Sequence, residues 1–97
     1  MTEGSPILGL ETVEIVMEIE DHFGIKIPNA VASGCVTVAD LQRVVVDLLV
    51  KRGLPDSPSL AESVFTDIVR ISAEVTGKDP KSIRPESQWV GDVTDYG

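Results

Sequence analysis

Apolar residues recur at steps of three and four along three stretches of this chain, and no stretch alternates apolar with polar residues as a half-buried strand would. That periodicity restricts the chain to helices packed on helices. Residues 9–23 put Thr12, Ile15, Val16, Ile19 and Phe23 on one face. Residues 38–52 do the same with Leu41, Val44, Val45, Leu48 and Leu49, and residues 59–76 with Ala61, Val64, Phe65, Ile68, Val69, Ile71 and Val75. The predicted class is all-α, three long helices and one short.

The breakers between these stretches agree with that reading. Gly24 ends the first helix and Pro28 forbids immediate re-entry, leaving room for a short helical turn over about residues 30–35. Thr37 followed by Asp40 supplies an N-cap oxygen and an acceptor three residues on for the second long helix, which stops at Gly53. The connector over residues 53–58 holds two prolines and one glycine, too stiff for a linker between domains, so residues 1–97 are expected to form one domain. Ser59 with Glu62 resembles a capping box for the third long helix, and Gly77 closes it. The loop over residues 77–97 is turn-rich, with Ile83 and Trp89 as expected anchors beneath it. Asp92, Thr94, Asp95 and Tyr96 form a polar tail, ordered or frayed.

Sixteen acids against eight bases give a net charge of −8, which repels phosphate backbones and anionic membranes, so neither nucleic acid nor membrane is an expected partner. Cys35 is the only cysteine: no disulfide forms within the chain, and no Cys/His cluster holds a metal. No apolar run reaches the length of a membrane span, and the N-terminus carries acid before its apolar residues. The expectation is a soluble, cytoplasmic protein.

The helix of residues 9–23 has one apolar stripe too many. Leu10, Val13 and Met17 cannot turn into the same core as Ile15 and Ile19, and they are interleaved with Glu11, Glu14, Glu18, Glu20 and Asp21, with no Lys or Arg among them. Acids alone would suit an ordinary solvated face. Combined with the extra apolar stripe they suggest a docking surface for a basic partner. His22 reads as a surface residue near a helix C-terminus and Cys35 as a small buried hydrophobe. One histidine and one cysteine, joined by no motif, do not point to an enzyme.

The run of residues 10–23, then Ile27-Pro28, then Thr37-Val38 opening a helix, resembles the second, third and fourth helices of the acyl carrier protein family. Residues 64–92 resemble that family's first helix and the long loop after it. The order is therefore two, three, four, one, and the two pieces cover nearly the whole chain. The resemblance implies an acyl-carrier-like four-helix bundle, circularly permuted, with residues 53–58 bridging the old termini. A domain-swapped dimer, in which the last helix completes a neighbour's bundle, is the other arrangement.

Family members attach phosphopantetheine to a serine in an Asp-Ser-Leu motif at the start of the recognition helix. Here Leu8-Gly9-Leu10 stands at that position, and counting along the C-terminal loop brings the same position to Gly97. Glycine offers no hydroxyl for a phosphodiester. The resemblance thus implies a module that docks partner enzymes of fatty-acid, polyketide or related pathways through their basic surfaces, with no cofactor expected. The alternative is a working acyl or aminoacyl carrier that bears phosphopantetheine on Ser5, displaced from the usual site and followed by Pro6.

Overall fold

Two side-chain oxygens decide where two of the helices begin. Thr37 Oγ1 accepts from the Asp40 backbone N–H at 3.2 Å, while the Asp40 carboxylate accepts from the Thr37 N–H at 3.1 Å and the Val36 N–H at 2.9 Å, a reciprocal box that satisfies donors the helix leaves open. Ser57 caps the last helix, its Oγ accepting from the Leu60 N–H at 3.2 Å, and Pro58 occupies the first turn, where its missing N–H costs nothing. The start therefore lies at Ser57 and Pro58, ahead of the Ser59/Glu62 pair, because the hydroxyl three residues before a free N–H is that of Ser57.

The computed structural model describes residues 10–94. The residues singled out at Ser5, Gly9, Asp95, Tyr96 and Gly97 lie outside them. Among the described residues the chain is all-helical: α1 spans Leu10–Phe23, α2 Asn29–Ser33, α3 Val38–Lys51 and α4 Pro58–Thr76, with a 3-10 turn at Pro80–Ser82. No strand forms among them, only isolated bridges between Thr37 and Gln88 and between Val90 and Thr94. Helix α2 ends two residues short of the expected 35. Its last turn closes on Gly34, whose N–H reaches the Val31 carbonyl at 3.1 Å.

One apolar core draws on every helix. Ile15 and Ile19 of α1, Ala32 of α2, Val38, Leu41, Val45 and Leu49 of α3, and Val64, Ile68 and Ile71 of α4 are all buried in it. Each large aliphatic side chain contributes on the order of 1.5–3 kcal/mol by leaving water. Helix α4 packs against both α1 and α3 of its own chain. The valines that weaken the intrinsic helix propensity of α3 are offset by this packing, since Val38 and Val45 are fully enclosed.

The long segment after α4 is tied down at three places. Gly77 takes the left-handed conformation at φ 78 and its N–H returns to the Ala73 carbonyl at 2.8 Å, ending α4. Ile83 and Trp89 are buried, and the Trp89 indole N–H donates to the Thr37 carbonyl at 3.0 Å, locking the loop to the start of α3. Val93 and Thr94 are enclosed as well, Thr94 Oγ1 donating to the Trp89 carbonyl at 2.8 Å. The tail is thus ordered through Thr94, for which no apolar periodicity gave a signal.

Candidate functional site

The exposed side of α1 is the strongest candidate. Its opposite side is fixed by Ile15 and Ile19, both fully enclosed, and by the buried Thr12, so the helix cannot rotate to hide anything else. Leu10, Val13 and Met17, at the first, fourth and eighth helical positions, are left 88%, 37% and 59% exposed. Glu14, Glu18 and Asp21 are exposed beside them and Glu11 is partly so, and none of the four enters an ion pair or side-chain hydrogen bond among the described residues. An apolar strip lined by unneutralised carboxylates faces solvent.

Glu20 is placed differently from its neighbours. It is half-buried, and its carboxylate accepts from the Ile27 backbone N–H at 2.6 Å, while its own carbonyl accepts from the Ile25 N–H at 3.1 Å. Both bonds steer the chain so that Ile25 and Ile27 enter the core after the turn at Gly24, whose φ of 66 only glycine adopts readily. Its charge is spent inside the fold, and the outward acidic set reduces to Glu11, Glu14, Glu18 and Asp21.

The far end of α1 is anchored to two other helices. His22 Nε2 lies 3.1 Å from Asp67 Oδ2 of α4, and the Arg52 guanidinium at the end of α3 donates to the Gly24 carbonyl. His22 is thus a surface residue that joins helices, a partnership across 45 residues that no local pattern announces.

Four exposed apolar residues went unmarked in the sequence: Val31, Val36, Leu54 and Val90. Thr12, Ala32, Cys35 and Trp89 line one internal crevice, so the first turn of α1, the end of α2 and the loop at residues 89–90 converge. The Trp89 N–H donates to the Val36 carbonyl at 3.0 Å, bringing Val36 and Val90 together at that end of the molecule. These valines belong to no repeating stripe, so only the convergence of loops identifies them.

Cys35 sits under this region, and burial, reinforced by the Asp40 carboxylate, pushes its thiol above the usual range. It stays protonated and poorly nucleophilic at neutral pH. The Asp40 carboxyl is itself held below the ordinary value, first by the Thr37 N–H and next by that of Val36. Among the described residues no three His, Cys, Asp or Glu side chains converge on a point a metal could occupy, and no helix is long and apolar enough to cross a membrane.

No family model, no curated protein and no solved structure matches the chain.

Proposed function

We propose that this chain is an acyl-carrier-like docking module, which binds basic surfaces of partner enzymes through α1 and carries no phosphopantetheine arm. The observation that supports it best is the exposed strip of Leu10, Val13 and Met17 beside Glu14, Glu18 and Asp21, on a helix whose other face is fully committed to the core. Buried apolar anchors with a charged rim are what partner surfaces use for affinity and orientation respectively. Partners of this kind belong to fatty-acid, polyketide or related pathways.

Within this reading the chain is a circular permutant with the family's helix order two, three, four, one, closed as a monomeric four-helix bundle. Support comes from the packing of α4 on α1 and α3 of its own chain, and from a connector only six residues long between α3 and α4. A domain-swapped dimer would make the same contacts between chains. Phosphopantetheine does not fit the start of α1: the helix opens at Leu10 and is preceded by Gly9, neither of which has a hydroxyl.

Two measurements test the proposal. Co-expression with a phosphopantetheinyl transferase should leave the intact mass unchanged; an added prosthetic-group mass that disappears in Ser5→Ala would establish the working carrier instead. Titration of the labelled protein with a ketosynthase or acyltransferase bearing a basic carrier-docking patch should shift amide resonances between Leu10 and Asp21, with Glu14→Lys/Glu18→Lys losing the effect. Resonance shifts confined to α3 or α4 would overturn the α1 reading.

A further inference from the structure

Helix α4 has an outward face of its own. A groove of about 640 Å3 runs between it and the Pro80–Ser82 turn, floored by Phe65, Val69, Ala73 and Ile83. Among the described residues Arg70, Lys78 and Lys81 line it against the single acid Glu74; Arg70 pairs with Glu74 at 3.6 Å and with Asp67 at 3.6 Å, and the lining keeps a net positive charge on a chain that is acidic overall. On a protein of net charge −8, an apolar groove edged with cations selects an occupant that is apolar on one side and acidic beside it.

The chain itself supplies such an occupant. Leu10, Val13 and Met17 extend about 10 Å along α1 and Phe65, Val69 and Ala73 about 12 Å along α4, at 1.5 Å per residue, so the two apolar rows match in length. The acids beside the first row meet the cations beside the second. The α1 strip cannot reach the groove of its own molecule, because α1 already turns its other face, through Ile15 and Ile19, into the core it shares with α4.

We infer that the exposed α1 face of one molecule seats in the α4 groove of a second copy, head to tail. This rests on the reading of α1 as a docking surface and on nothing else in the proposed function. The two patches differ, so the contact is heterologous: it builds a ring where the rotation closes and an open chain where it does not. The contact is small and the copies carry like net charge, so association is weak and concentration-dependent. Self-association would then occlude α1 until a partner competes for it.

Sedimentation equilibrium from about 10 μM to about 1 mM covers the affinity range expected of such a contact. Wild-type protein should associate with concentration, and Glu14→Lys/Glu18→Lys and Lys78→Glu/Lys81→Glu should each weaken association at least about tenfold. Mixed one to one, the two variants should associate again, since the acidic strip of the second fits the cationic groove of the first and the strip lysines of the first fit the groove glutamates of the second. Lys81→Ala, an exposed single change, should weaken wild-type association in the same direction if the double groove variant fails to fold by circular dichroism. A wild type monomeric at every concentration, a dimer indifferent to both pairs of substitutions, as a domain swap would be, or a mixture that stays monomeric would each overturn the inference. The enzyme titration with Lys78→Glu/Lys81→Glu separates the two readings: α1 resonances that still shift leave docking intact while self-association fails.

Discussion

Glu18 and Glu20 stand two residues apart on one acidic helix, yet they should respond to alanine in opposite ways. Glu18 is exposed without a partner among the described residues, so Glu18→Ala should leave stability within about 0.5 kcal/mol. Glu20→Ala removes the carboxylate that accepts the Ile27 N–H at 2.6 Å, next to a side chain that is 4% exposed. A hydrogen bond to a charged acceptor contributes about 1.5–3 kcal/mol, and partial solvent access at this site reduces the loss to about 1–2 kcal/mol. In a domain of this length that corresponds to a fall in Tm of about 5–15 °C. Glu20→Gln should fall between, since the amide oxygen still accepts but without charge. Urea melts followed by circular dichroism measure all three, with an unchanged slope indicating that the denatured state is unaffected. Equal midpoints for Glu18→Ala and Glu20→Ala would refute the claim that Glu20 is a structural clamp and return it to the docking face.

Other consequences are as direct. Asp40→Asn should destabilise by about 0.5–2 kcal/mol at neutral pH through loss of the charged cap on α3. Because the folded carboxyl is held below its ordinary value, its contribution is fully present above about pH 4, the ordinary range of an aspartate, and is lost as pH falls through the lower folded value. The wild-type and Asp40→Asn stabilities should therefore converge in acid, and a gap that widens on acidification would contradict the cap assignment. Trp89→Ala empties a buried site and abandons the bond to the Thr37 carbonyl, at a cost of about 3–5 kcal/mol, measurable as loss of cooperative melting or a large fall in midpoint. Gly77→Ala meets no atom within 4 Å, so any loss is backbone strain at φ 78, about 1–2 kcal/mol in thermal melts; no change would mean that α4 ends another way.

The helices were legible in the sequence because their information is local. Three- and four-residue periodicity, Gly24, Gly77 and the Thr37/Asp40 pair each act within a turn or two, and α1, α3 and α4 lie within two residues of the ranges those signals predict. The helix start of α4 differs by one residue and its capping serine by two, because Ser57 and Ser59 both offer a capping hydroxyl and only the backbone path selects between them.

The α1 face was partly legible for the same reason. Leu10, Val13 and Met17 could be separated from Ile15 and Ile19 by helical angle alone, since a helix has one core side and these residues do not share it. What helical angle cannot tell is which acids remain free. Glu20 turns to Ile27, and His22 to Asp67, because the exit after Gly24 and the approach of α4 bring those partners within reach. Val36 meets the segment at Trp89 and Val90 only because the Trp89 backbone N–H donates to the Val36 carbonyl across the fold. The groove of α4 likewise needs the Pro80–Ser82 turn folded beside it before Phe65 and Val69 have walls. By itself, then, the sequence determined the helices, the side of α1 that is buried and the excess of negative charge, all properties of a period or a count. Tertiary structure alone decided which carboxylates are spent inside and where cations gather against apolar floor, because both depend on contacts between residues far apart in the chain.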